Sequence, residues 1–228
     1  MLRQLASCLW VHETPFKLLG INFGNRMTCI QLTNGDFWLH SPSRFEQATY
    51  DKIQAKGNVK YLVSPNLMHN LFIMDWKQKN VTSQVLASAQ AKKVNPDIKL
   101  NETPEKELNQ LFNNEITCLP INGLPFLQEY AFVHHASKTL IITDLAFNFG
   151  KDSKGLTKLM LTLYGAYGKF GPTITVRSLI KDKKAFSESL SKIALENFDR
   201  IILSHGNVVD TDGKAIFKKA FERYLTKG

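Results

Sequence analysis

The 228-residue chain has only three cysteines, Cys8, Cys29 and Cys118, an odd and scattered set with no CxxC or Cys/His pair. That excludes a disulfide framework and a cysteine-built zinc module, and predicts reduced thiols. No apolar run approaches the roughly 20 residues of a membrane span. The opening MLRQLASCLW is too short and too mixed for a signal peptide, so the expected location is cytoplasmic. No Pro/Gly/Ser-rich linker interrupts the chain, which predicts one domain over 1–228. Acidic residues are the scarcer charge: 29 Lys+Arg against 20 Asp+Glu leave +9. Such an excess suits a nucleic-acid, acidic-lipid or anionic small-molecule partner, or a solvated basic surface. The basic residues are dispersed apart from Lys181, Lys183 and Lys184, and no aromatic-basic RNA-binding motif accompanies them. Nucleic acid is therefore not expected.

What is present is a set of apolar β-like runs ending in metal-binding residue types. Tyr61-Leu62-Val63 leads to Asn66 and His69, Leu140-Ile141-Ile142-Thr143 to Asp144, and Ile201-Ile202-Leu203-Ser204 to His205. In open α/β sheets the ligand site lies beyond the carboxyl ends of the strands. Two imidazoles and a carboxylate delivered there suit one divalent metal, with zinc, iron and manganese all compatible.

Two hairpins frame these runs. Asn34-Gly35 between 28–33 and 36–41 predicts a two-residue turn, with Thr33 facing Asp36, Gln31 facing Trp38 and Cys29 facing His40. Ala136-Ser137 between 129–135 and 138–144 predicts a register in which paired residue numbers sum to 273. Glu129 then faces Asp144. His134 and His135 go to the turn end, about 20 Å or more from Asp144 at about 3.3 Å per residue. His69 is expected at the start of a helix running to residue 79, and 46–56, 183–196 and 214–225 also read as helices. His12 reads as a loop residue. Residues 81–91 suggest a strand and a helical turn, and 92–107 a polar surface stretch. The apolar run 156–164 and the glycines after it make 151–175 a lid over the site, a helix packed on the body or a dimer contact.

This order of elements resembles the metallo-β-lactamase superfamily. The resemblance implies an α/β fold, a four-layer αββα sandwich with metals at one sheet edge. Of that family's HxHxDH motif, Ser64-Pro65-Asn66-Leu67-Met68-His69 keeps only the last His. Asp144 matches the bridging Asp and His205, in Leu-Ser-His-Gly, the late His. Pro125 stands near the place of the middle His. A closer likeness is to a degenerate branch of the superfamily, the DUF4336 proteins. It rests on Leu9-Trp10, Arg26-Met27, His40-Ser41-Pro42, Ser64-Pro65-Asn66 with His69, Glu129, and His205-Gly206. The resemblance implies that one metal site is lost and the other, His69, Asp144 and His205, is retained with Met68 in place of an acid. Glu129 becomes a candidate fourth ligand or general base, and His40 a substitute for the family's early Asp or a strand-end histidine satisfied within the fold. The implied function is a metal-dependent hydrolase of an ester, thioester or phosphoester. The alternative is an inactive protein of this fold that binds an anionic ligand or partner.

Overall fold

The computed structural model describes residues 1–18, 21–88, 91, 105–152 and 154–225. Most of the polar stretch expected at 92–107, and residues 89–90 of the segment before it, lie outside these. The chain divides into two compact units, Met1–Thr14 with Asn25–Glu115, and Pro15–Gly24 with Ile116–Gly228. The architecture is mixed α/β, as expected.

The first unit is built on β1 (Leu2–Ala6), β2 (Leu9–Thr14), β5 (Asn25–Gln31), β6 (Phe37–His40), β7 (Val59–Val63) and β8 (Gln84–Leu86), in the order β1-β2-β5-β6-β7-β8. Alternate residues Met27, Cys29, Phe37, Leu39 and Leu62 form one face. Helices α1 (Gln47–Gln54) and α2 (Ile73–Lys79) cover it with Ile53, Ile73 and Trp76. Full burial of each such side chain contributes about 1.5–3 kcal/mol. The other face carries Trp38 and Tyr61, both edge-on to Phe112. Phe112 follows α3 (Glu105–Leu111).

Two expectations are corrected in this unit. The first hairpin pairs Gln31 with Phe37, Ile30 with Trp38, Cys29 with Leu39 and Thr28 with His40, one residue away from the predicted register. The loop holds three residues rather than two. Leu32 N–H donates to Asp36 O, Gly35 N–H to Leu32 O, and Asp36 N–H to Asn34 Oδ1. Gly35 is left-handed at φ 86° while Asn34 is not, so the turn is not the doubly left-handed one that a two-residue Asn-Gly loop requires. His12, read as a loop residue, lies in β2 and is fully buried, with Nδ1 2.9 Å from Ser43 Oγ and Nε2 3.2 Å from Thr49 Oγ1.

The second unit contains β9 (Ile116–Pro120), β10 (Tyr130–His134), β11 (Thr139–Ile142) and β14 (Arg200–Leu203), ordered β14-β11-β10-β9. Two short pairs accompany this sheet, β3 (Lys17–Leu18) with β4 (Ile21–Asn22) and β12 (Phe147–Phe149) with β13 (Lys169–Gly171). The β10–β11 pairs Phe132–Ile141, Val133–Leu140 and His134–Thr139 all keep the predicted register. Helices α4 (Gly155–Leu163), α5 (Ile174–Ser178), α6 (Lys183–Leu195) and α7 (Gly213–Phe221) complete the unit. In α6, Phe186, Leu190, Ile193 and Ala194 recur at helical spacing and pack on Val133, Leu140, Ile142 and Ile201. The Asp182 side chain caps its first turn by accepting from Ala185 N–H at 3.0 Å. β11 and β14 are parallel, with Ile142 beside Leu203, so both strands end at the same sheet edge.

Candidate metal centre

That parallel register positions the first two candidate ligands. Asp144 and His205 each lie two residues beyond paired strand ends, Ile142 and Leu203. Their side chains meet, His205 Nε2 standing 3.5 Å from Asp144 Oδ1. On the other side of the ring, His205 Nδ1 is 2.7 Å from the carbonyl oxygen of Gly24. A carbonyl can only accept, so Nδ1 carries the proton. In a neutral ring Nε2 then presents its lone pair towards a carboxylate oxygen. Two electron-rich atoms face each other unless a cation or a second ring proton lies between them. This is the arrangement of a histidine ligand whose distal nitrogen is held by a backbone carbonyl.

The His205 ring is clamped by aromatic side chains. Phe147 stacks on it at 5.5 Å with an interplanar angle of 7°, and Phe16 and Phe23 approach at 6.4 and 6.3 Å. Gly206 follows with φ 83°, and a Cβ there would stand 2.4 Å from Asn148 O. Asn207 N–H donates to the same carbonyl at 2.7 Å. Glycine thus lets the post-β14 loop lie against β12, which brings Phe147 onto the histidine.

Glu129 underlies Asp144, as its place in the register predicts. Its carboxylate accepts from Thr143 N–H at 2.8 Å and from Asp144 N–H at 3.0 Å. It is buried, and burial together with the Asp144 charge pushes its pKa up to about 7 against the opposing pull of those amides. Both oxygens are thus committed to the backbone that carries Asp144.

The remaining candidates belong to the first unit. His69 sits in a bend four residues before α2, not at the start of a helix as expected. Asn66 shapes the bend: its buried Oδ1 accepts from Met68 N–H at 2.8 Å and His69 N–H at 2.9 Å, closing an Asx turn. Ser64 Oγ donates to Asn66 O at 3.0 Å. The His69 ring is fixed by Ser41 Oγ, 2.7 Å from Nδ1. Ser41 is itself left-handed at φ 52°, with its N–H bonded to Val63 O at 2.9 Å. His40 precedes Ser41 at the end of β6. It is buried and stacked on Trp38 at 5.4 Å, and burial, with the nearby His69 as a smaller cause, lowers its pKa to about 3. It is a neutral imidazole at physiological pH.

His134 and His135 stay at the turn, as expected. His134 Nδ1 is 2.7 Å from Ser137 Oγ, and His135 Nε2 is 2.8 Å from Thr117 Oγ1. The sequence reading missed Gly24 O, Ser41 and the aromatic clamp. Only Ser41, inside His40-Ser41-Pro42, stood in a motif that could have drawn notice.

No family profile matches the sequence, and no curated protein is similar to it. Solved structures are. A metallo-β-lactamase from Pontibacter korlensis superposes with TM-score 0.65 at 12% identity, covering 100% of this chain and 99% of that one. One from Hirschia baltica gives 0.64 at 12%, covering 100% and 99%. The Pseudomonas aeruginosa enzyme FIM-1, in a mono-zinc form, gives 0.65 at 11%, covering 98% and 94%. The chain therefore has the fold of the metallo-β-lactamase superfamily, over its whole length and at an identity that speaks for architecture alone.

Proposed function

We propose that this protein is a metal-dependent hydrolase of an ester, thioester or phosphoester, with a degenerate site that holds at most one divalent metal. The ligands are His69, Asp144 and His205, two imidazoles and one carboxylate of a kind that could hold a metal ion. The observation that carries this reading is the His205–Asp144 pair. The Gly24 carbonyl makes Nδ1 the protonated nitrogen, and Nε2 faces a carboxylate oxygen at 3.5 Å. Ser41 Oγ, 2.7 Å from His69 Nδ1, holds the third ring in place, and as a hydroxyl it can do so by donating or accepting. A bound metal would supply a water of lowered pKa and polarise the scissile oxygen. Zinc is the first candidate, since FIM-1 is described in a mono-zinc form, with iron and manganese next.

Loss of the second metal is supported by what Ser64 and Asn66 do instead: both side chains bond to the backbone of their own loop. That loss, with the sequence motifs, is why we place the chain in a DUF4336-like branch. Glu129, both oxygens held by amides, is assigned to positioning Asp144 rather than to proton transfer. His40, buried and neutral, supports the strand end that leads to Ser41.

The test is elemental analysis of protein purified without an affinity tag, for wild type and Asp144→Ala, followed by a panel of ester, thioester and phosphoester substrates. We expect about one equivalent of zinc, iron or manganese in wild type and its loss in the variant. No metal in either, with thermal stability unchanged by added zinc or manganese, would overturn the reading and favour a binding protein of this fold.

A further inference from the structure

His12 is fully buried in β2 and stands outside the metal donors, yet both nitrogens of its ring are engaged. Nε2 lies 3.2 Å from Glu46 Oε2 and 3.2 Å from Thr49 Oγ1, at the start of α1. Nδ1 lies 2.9 Å from Ser43 Oγ. A carboxylate only accepts, so Nε2 carries the proton. Burial lowers the pKa of the ring, and the N-terminal ammonium adds to this against Glu46 and Glu13. The neutral ring then offers a lone pair at Nδ1, and the Ser43 hydroxyl donates to it.

Ser43 is one end of a short link to a metal donor. Two residues before it, Ser41 Oγ is 2.7 Å from His69 Nδ1. Pro42 stands between them with its φ locked by the ring. Ser41 is at φ 52°, a left-handed conformation that a residue other than glycine keeps only when its surroundings enforce it. The bonds that enforce it include Ser41 N–H to Val63 O at 2.9 Å, Trp76 Nε1–H to Ser43 O at 2.7 Å, and the Ser43 hydroxyl to His12. Ser41 and Ser43 are buried, so water does not take the place of a lost partner. All of these residues belong to the first unit.

We infer that His12 is a positioning residue for the metal donor His69, acting through Ser43 and Ser41. The inference rests on the reading of His69 as a ligand. β2 lies two strands from β6 in the sheet, and through this link it sets the ring of a donor in the bend after β7. Removing partners that hold a metal's ligands lowers its affinity by about 10–100-fold.

The two nitrogens of His12 can be replaced separately. The side-chain oxygen of His12→Asn falls near Nδ1 and accepts from Ser43. The amide NH₂ of His12→Gln falls near Nε2 and keeps Glu46 and Thr49 instead. The experiment measures zinc affinity of the full chain by competition with a chromophoric chelator, for wild type, both variants and Ser43→Ala, with urea midpoints to confirm folding. Ser43→Ala leaves His12 in place and tests the same link should either histidine variant fail to fold. A second readout, taken on metal-free protein, is the ¹⁵N shift of His69 Nδ1. We expect His12→Gln and Ser43→Ala to weaken zinc binding about tenfold or more and to move the His69 resonance, and His12→Asn to keep most of the wild-type affinity. Equal losses in His12→Asn and His12→Gln, or unchanged affinity in Ser43→Ala, overturn the inference, because His12 would then serve folding alone. Wild type without zinc affinity sinks the metal reading, and the His69 resonance then judges His12 separately. Unmoved in Ser43→Ala, it overturns the inference; moved there and kept in His12→Asn, it upholds the hold of His12 on the ring.

Discussion

Glu129 and His40 are both buried ionisable groups, and their pH responses run in opposite directions. Glu129 is raised from 4.5 to about 7, so the folded state holds its proton longer than the unfolded chain. Its contribution to stability is complete below pH 4.5 and is lost as pH rises to about 7. His40 is lowered from 6.5 to about 3, so the unfolded chain takes up the proton first. Its contribution is complete above pH 6.5 and is lost as pH falls towards 3. Between pH 4.5 and 6.5 the two slopes nearly cancel, each being about 1.4 kcal/mol per pH unit. Glu129→Gln removes one of them. Urea titrations across that window should show the variant's stability rising with pH more steeply than wild type by about that slope. Parallel curves would show that Glu129 is not shifted. The same variant leaves one of the Thr143 and Asp144 amides opposite an amide NH₂, at a cost of about 1–3 kcal/mol.

Single positions elsewhere separate the roles of site and scaffold. Gly206→Ala must carry φ 83° and a Cβ 2.4 Å from Asn148 O, so it should destabilise by about 2 kcal/mol or more. It should also weaken metal uptake through the loop that holds His205. Asp182→Ala removes only a helix cap on α6 and should cost about 1 kcal/mol with metal content unchanged. Denaturant midpoints and metal analysis on the two variants check both statements.

At the scale of elements, the two hairpins show how far pattern reading reaches. The second hairpin was legible because its strands and turn agreed on one register. Residue numbers summing to 273 led directly to Glu129 beside Asp144, which the amide contacts bear out. The first failed by one residue. Asn34-Gly35 favours a two-residue turn, but Asn34 spends its side chain on Asp36 N–H and only Gly35 adopts a positive φ. The strands on either side are buried on both faces, so no alternation of polar residues exposes the slip. The His69 bend is a third case. Pro65 and Asn66 signalled a loop, but the length of the Asx turn, and hence the later start of α2, depends on where Asn66 Oδ1 points. Asn66→Ala should release two amides, cost about 1–2 kcal/mol and loosen His69. Metal affinity by competition with a chromophoric chelator should fall while the fold persists. Unchanged affinity would remove the Asx turn from the account of the site.

At the scale of the whole molecule, a metal bound only by the folded state must stabilise it. Zinc at a hundredfold excess over its dissociation constant adds about 2.7 kcal/mol, or about 5–10 °C in Tm for a chain of this size. Differential scanning fluorimetry should show that rise in wild type and none in Asp144→Ala. A rise of equal size in both would place the metal elsewhere. The +9 charge and the outward leucines of α4 act at this scale too. They lie at the surface and contribute nothing to how the core packs.

The α/β class was implied by a family resemblance; taken alone, the sequence determined the three residues that end their runs in metal-binding groups and the register that sets Glu129 under Asp144. These follow from periodicity, turn residues and strand spacing, all short-range properties of the chain. Tertiary structure alone decided the tautomer of His205, because its partner Gly24 lies 181 residues away in sequence. It likewise decided the aromatic clamp of Phe16, Phe23 and Phe147, the burial that keeps His40 neutral, and the outward turn of α4. Each depends on which distant groups share a small volume and on how much water they exclude. Desolvation and side-chain packing set those outcomes, and neither leaves a local pattern in the sequence.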